Sequence, residues 1–173
     1  AAFALPALHL LENTGATEVL VITPTRELAS QVSEEISRLG KFLKVKTATV
    51  YGGKSFVTQI DSIKRGAHVV VATPGRLLDL LQGKKIGPFN PSLVIIDEAD
   101  EMLDMGFLED LQAIFDFLPK ERQTLMFSAT MPPAIQALAK KTLNNPAVIK
   151  ATKEQTTDRK STRLNSSHLV ISY

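Results

Sequence analysis

The chain has 173 residues, 44% hydrophobic and 22% charged, proportions that suit one globular domain far better than a wholly disordered chain or a multi-domain array. Twenty Lys plus Arg against 18 Asp plus Glu leave a formal charge of +2, an excess too small to demand a polyanionic partner and no bar to one. The chain holds no cysteine, which rules out disulfide scaffolds, thiolate metal sites and cysteine nucleophiles; no run nears the roughly 20 apolar residues of a membrane span, so a cytoplasmic protein without membrane partners is expected.

Short branched apolar runs recur along the chain, and the residues that follow each are more informative than the runs themselves. The first, Val19-Leu20-Val21-Ile22, predicts a strand. It ends in Thr23-Pro24-Thr25-Arg26, after which Leu28, Val32, Ile36 and Leu39 recur at helical spacing. A second strand is predicted over residues 45–50, ending in Gly52-Gly53, with helical spacing at Phe56, Ile60 and Ile63 behind it. The third, Val69-Val70-Val71-Ala72, runs into Thr73-Pro74-Gly75-Arg76, a second copy of the Thr-Pro-x-Arg junction. The fourth, Leu93-Val94-Ile95-Ile96, runs straight into Asp97-Glu98-Ala99-Asp100. A fifth strand at residues 124–127 leads to Ser128-Ala129-Thr130, and a helix containing Ile135, Leu138 and Ala139 separates it from a sixth at residues 147–149.

Strands alternating with helices predict an α/β fold: a parallel sheet covered on both faces. The unbroken apolar character of the third and fourth strands fits burial on both sides. Ligands of such sheets bind at the carboxyl ends of the strands. From about Thr156 the text turns polar and rich in Ser and Thr, with neither helical nor strand period, and no fold is expected there.

Each junction has an ordinary reading beside a functional one. Thr before Pro caps a helix and Pro suits its first turn. An Arg at that position opposes the helix dipole unless an anion is shared, and two such ends side by side make a track for phosphates. Gly52-Gly53 is either a turn or a close approach of backbone to ligand. The acids are the strongest signal. Asp97 at a strand end suits a hard cation such as Mg²⁺, and Glu98 lies beside it, within reach of a water. Five acids fall within residues 97–104; first-turn preference accounts for Glu101 and Asp104 and leaves the strand-to-acid junction unexplained. Ser128 and Thr130 either cap the following helix or bond the carboxylates. A Mg²⁺-dependent phosphotransferase with an aspartyl nucleophile is a rival, but Asp97 is followed by Glu where that chemistry wants a free Asp with a Lys or Thr partner. His9, His68 and His168 show no ligand spacing.

Pro24-Thr25-Arg26-Glu27-Leu28-Ala29, Gly52-Gly53, Thr73-Pro74-Gly75-Arg76, Asp97-Glu98-Ala99-Asp100 and Ser128-Ala129-Thr130 stand in the order and spacing of the DEAD-box RNA helicases. The resemblance covers about residues 1–157, which look like the first of that family's two RecA-like, P-loop NTPase type domains. It implies the following roles. Asp97 holds Mg²⁺ through water, and Glu98 orients or deprotonates the water that attacks ATP. Asp100 bonds Ser128 and Thr130 and links hydrolysis to closure against the second RecA-like domain. Pro24, Thr25, Arg26, Gly52, Gly53, Thr73, Pro74, Gly75 and Arg76 grip the RNA sugar–phosphate backbone without reading bases. A non-catalytic RNA-gripping module, using the two Thr-Pro-x-Arg junctions alone, is the alternative.

The family's phosphate loop, Gly-x-Gly-Lys-Thr in form, is expected immediately upstream of Ala1, so the domain is expected to lack its first strand and that loop. A gap in the sheet with unpaired edges should follow, and the fragment should be inactive alone. Residues 158–173 resemble no part of either domain and are expected to be a disordered or non-native tail. Residues 1–150 carry 16 basic and 16 acidic side chains, so the whole excess charge falls in that last stretch.

Overall fold

The computed structural model describes residues 3–152 and 166–172. Five strands form the parallel part of one sheet: β1 (Val19–Ile22), β2 (Thr47–Val50), β3 (Val69–Ala72), β4 (Leu93–Ile96) and β5 (Gln123–Ser128). With β6 (Ala147–Thr152) and β7 (Ser166–Ser172), the order across the sheet is β2-β3-β1-β4-β5-β7-β6. All six predicted strands are present. The second starts at Thr47, two residues late, because Lys44 takes a left-handed turn just before it (φ 54°).

Alternation along each strand divides the core in two. Leu20, Ile22, Val70, Ala72, Val94 and Ile96 join one cluster, completed by Leu77, Leu80, Leu111, Ile114 and Leu138. Val19, Val21, Val69, Val71, Leu93 and Ile95 join the other, under Phe3, Ala4, Ala7, Leu8, Val32 and Ile36. Helices α1 (Ala4–His9) and α2 (Arg26–Leu39) therefore cover the second face. On the first lie α3 (Phe56–Lys64), α4 (Pro74–Gln82), α6 (Leu108–Phe117) and α7 (Pro133–Thr142), joined by the short α5 (Ala99–Asp104). Strands β1, β3 and β4 are buried at every residue, as their unbroken apolar text requires.

At the amino end of the sheet, Glu18 is buried and clasps the preceding loop. Its carboxylate accepts from the N–H groups of Glu12 (2.6 Å) and Thr14 (2.8 Å) and from the Thr14 hydroxyl (3.1 Å). Burial, the largest influence, pushes this carboxyl up, and those bonds together with His68 outweigh it to hold it below the ordinary value.

The last stretch departs from expectation. Ser166–Ser172 form a strand antiparallel to both neighbours, Ser128 opposite His168 on one side and Thr152 opposite Ser166 on the other. A gap with unpaired edges was expected in the sheet; here β7 pairs with β5 on one side and with β6 on the other. Two facing rows of free N–H and C=O groups attract any segment able to extend, and Leu169-Val170-Ile171 is such a segment. Antiparallel direction follows from the chain coming back beside β6 without a crossover. Residues 153–165 and 173 lie outside the described residues, and with them residues 158–165 and 173 of the expected tail.

Candidate functional site

The junctions singled out in the sequence all lie at the carboxyl ends of the parallel strands, and the strand order sorts them. Pro24-Thr25-Arg26 follows β1, Gly52-Gly53 follows β2, and Thr73-Pro74-Gly75-Arg76 follows β3, three adjacent strands. Asp97-Glu98 follows β4 and Ser128-Thr130 follows β5, the next two. One edge thus carries cations at one end and acids at the other; β2 and β4 are three strand spacings apart, about 14 Å.

The two Thr-Pro-x-Arg junctions are not equivalent. Thr25 caps α2, its hydroxyl accepting from the Leu28 N–H at 3.2 Å. Thr73 precedes α4 without a side-chain cap and is buried, with Pro74 opening the helix. Capping accounts for the first threonine and leaves the second unexplained. The arginines converge on the glycine loop. Gly53 has φ +87°, a backbone conformation that favours glycine, and a β-carbon there would stand 2.6 Å from Arg26 Nη1, so the guanidinium lies directly against this loop. A β-carbon on Gly52 would meet Arg26 Nη2 at an ordinary 3.7 Å. From the other side, Arg76 Nη1 donates to the Lys54 carbonyl at 2.9 Å.

Residues that the sequence reading did not assign complete this end. The Arg76 guanidinium lies 3.9 Å and the Lys85 ammonium 4.3 Å from the Phe56 ring centroid, and the Lys54 ammonium lies 5.0 Å from that of Tyr51. Phe56 had been read only as helix core. Gly53-Lys54-Ser55, between a strand and a helix, was a legible signal, since it repeats the last three residues of a phosphate loop. It is not such a loop, because Ala48 stands where the first glycine belongs, inside β2 and 2% exposed, and Lys54 belongs to the cationic end.

At the acidic end, the Asp97 N–H extends the ladder by donating to the Ile22 carbonyl at 2.9 Å. Glu98 then takes a left-handed conformation (φ 56°, ψ 53°), rare for a residue with a side chain, and opens α5. A cavity of about 330 Å³ lies here, lined by Asp97, Glu98, Asp100, Glu101, Phe127, Ser128 and Ala129. Burial pushes the Asp97 carboxyl above its ordinary value. Glu98 is pushed up by burial first and then by the charges of Asp97, Glu101 and Asp100. Carboxylates held in that state favour a cation. Among the described residues no cluster of three His, Cys, Asp or Glu has metal-binding geometry. The donor set therefore fits a hard ion that keeps most of its waters, such as Mg²⁺ on one or two carboxylates, and does not form an all-protein cage.

Asp100 turns away into a bonded turn. Its Oδ2 accepts from both the N–H and the hydroxyl of Thr130, each at 2.9 Å, and its own N–H donates to Ser128 Oγ at 3.1 Å. Ser128 Oγ in turn donates to the Thr130 carbonyl at 2.6 Å. Burial raises the Asp100 carboxyl, and the bonds from Thr130 and Ser128 outweigh it, so Asp100 stays below its ordinary value. The three residues the sequence grouped, Asp100, Ser128 and Thr130, do meet. They join β5 to α5, and Asp97, Glu98 and Glu101 are the other acids that line the cavity.

The family model described as DEAD/DEAH box helicase matches residues 1–138. The chain belongs to the DEAD/DEAH box helicase family. It is 56% identical over 149 residues to the DEAD-box ATP-dependent RNA helicase RhpA of Helicobacter pylori, covering 86% of this chain and 30% of that protein. To the DEAD-box ATP-dependent RNA helicase CshA of Streptococcus pneumoniae it is 51% identical over 160 residues, covering 91% of this chain and 30% of that one. The crystal structure of a DEAD box protein from the hyperthermophile Methanococcus jannaschii superposes with a TM-score of 0.80 at 42% identity, over 83% of this chain and 39% of that one. The fold is thereby RecA-like. The chain spans about 30% of the length of these curated relatives.

Proposed function

We propose that the chain is the larger part of the first RecA-like domain of an ATP-dependent RNA helicase, holding RNA along the ends of β2, β3 and β1 and ATP at the ends of β4 and β5. The observation that carries this reading is the division of one sheet edge into a cationic end, built on Arg26 and Arg76 around Gly53, and an acidic cavity built on Asp97 and Glu98. Phosphates in a row suit the first: arginines and helix N-termini position a backbone and read no base. Asp97 would hold Mg²⁺ through water, and Glu98, whose raised carboxyl leans toward taking a proton, would orient and deprotonate a water. When bound, the ion supplies charge stabilisation for phosphoryl transfer. Asp100, tied to Thr130 and Ser128, would carry the state of that cavity to β5 and from there to a second RecA-like domain.

Negligible ATP turnover by these 173 residues alone belongs to the proposal. The second reading, an RNA-gripping module without catalysis, rests on the cationic end alone. A cytoplasmic location belongs to the proposal.

Two measurements test it. Binding of a labelled RNA oligonucleotide should weaken steeply with salt, and should fall at least tenfold in Arg26→Ala plus Arg76→Ala. RNA-stimulated phosphate release from the chain should be negligible, and should appear once a Gly-x-Gly-Lys-Thr phosphate loop and a second RecA-like domain are joined to it. Unchanged RNA affinity in the double variant refutes the cationic site, and release by the isolated chain at the rate of a full-length relative refutes the division of labour.

A further inference from the structure

The loop from β2 to α3 gathers four cations from four different places in the chain: Arg26 over Gly53, Lys54 beside Tyr51, and Arg76 and Lys85 against Phe56. Long cationic side chains so close together repel and, left alone, spread into solvent. Two features oppose this for Arg76. The Lys54 carbonyl accepts one of its N–H groups at 2.9 Å, and the face of Phe56 sits 3.9 Å from its guanidinium carbon. An aromatic face attracts a guanidinium through the ring quadrupole without consuming any of its five N–H donors. The Lys54 bond takes one donor, and the rest are left to an anion.

Phe56 is also the first residue of α3 and packs at the edge of the core cluster under α4, so its ring is fixed by the fold and not by the cations it carries. A fixed ring that holds two flexible cations removes rotamer freedom they would otherwise lose on binding. It also brings Lys85, which lies beyond the end of α4, against the same ring as Arg76 of the first turn.

We propose that Phe56 is a positioning residue for the RNA backbone: its ring holds both Arg76 and Lys85 so that they meet neighbouring phosphates, and Lys54 and Lys85 extend the track begun by Arg26 and Arg76. The inference rests on the RNA reading given above. It assigns no base specificity, since phosphate contacts carry none.

The test is a double-mutant cycle on the whole chain, with a fluorescein-labelled 20-nucleotide oligouridylate as probe and affinity read by anisotropy across a salt series. Phe56→Leu keeps the apolar contact with the core and removes the ring face. It should weaken binding about threefold to tenfold, while Phe56→Tyr and Phe56→Trp, which keep a face, should bind as the parent does. In the Arg76→Ala background, Phe56→Leu should cost at most the small share owed to Lys85, well below its effect in the parent. Lys54→Ala and Lys85→Ala should each lower the salt slope by about one ion. Thermal melts of every variant separate loss of fold from loss of binding, and Phe56→Met replaces the leucine variant should that one unfold. Equal losses from Phe56→Leu with and without Arg76, or no loss at all, overturn the positioning role and leave the RNA reading standing. A parent chain that does not bind the oligonucleotide overturns both, and is recognised because the control itself is silent.

Discussion

Replacing Glu98 by glycine should make the chain more stable while deleting an acid at the heart of its cavity. Two separable penalties meet at this residue. The first is backbone: φ 56° and ψ 53° cost a residue with a β-carbon about 1 kcal/mol. The second is charge, since burial and then Asp97, Glu101 and Asp100 disfavour the ionised carboxyl. Glu98 is itself exposed, so solvent screening limits the second penalty to about 0.5 kcal/mol. Glu98→Gln removes only the charge and Glu98→Gly removes both. For a chain of this size the expected rises in Tm are about 1–2 °C and about 3–5 °C. The two variants also differ from the parent in pH dependence. A carboxyl whose value is raised on folding weakens the folded state once pH exceeds the unfolded value of 4.5 and does so fully above the folded one. The advantage of Glu98→Gln should therefore be present at pH 7.5 and vanish at pH 4, whereas the backbone share of Glu98→Gly should survive at both. Thermal melts without nucleotide at the two pH values measure this. A glycine variant no more stable than the parent at pH 4 refutes the strain argument, and a glutamine variant with no gain at pH 7.5 refutes the charge argument.

Gly53→Ala should lower Tm by about 2–4 °C because φ +87° strains a residue with a β-carbon, and should push the Arg26 guanidinium aside, whereas Gly52→Ala, with 3.7 Å of room and no such angle, should be close to neutral; equal Tm values for the pair would contradict the geometry. Glu18→Gln should destabilise the chain by about 1–2 kcal/mol at pH 7, since a buried carboxylate accepting three hydrogen bonds loses its charge. The folded value of Glu18 lies below 4.5, so its stabilisation is present above pH 4.5 and lost as pH falls through the folded value; urea titrations should show the gap between parent and variant closing in acid. A chain ending at residue 152 loses β7 and exposes the facing edges of β5 and β6; light scattering should then show self-association at concentrations where the full chain is monodisperse, and equal behaviour of both would deny β7 a protective role.

Much of the candidate site was legible because its chemistry sits at fixed offsets from strands. A strand buried on both faces reads as an unbroken apolar run, so Val69–Ala72 and Leu93–Ile96 announced themselves, and with them the residues at their carboxyl ends. Phe56 was opaque for the opposite reason: its apolar character and helical spacing fit the core, and only its distance to Arg76 and Lys85 shows what else its ring does. The short apolar run in residues 166–172 is strand only because two edges face each other where it lies.

Sequence alone determined the α/β class, the order of the strands along the chain and the helicase family, since local periodicity and short motifs carry that information without reference to distant residues. Tertiary structure decided which junctions share a site. Order along the chain is β1, β2, β3, β4, whereas order in space is β2, β3, β1, β4, and that rearrangement, fixed by how crossovers pack over the sheet, sets the Pro24-Thr25-Arg26 junction beside the acids and the Gly52-Gly53 loop farthest from them. It also decided that Glu98 bears backbone strain and that Arg76 is held by a ring, because neither a dihedral angle nor a contact between residues 20 apart is written in composition or spacing.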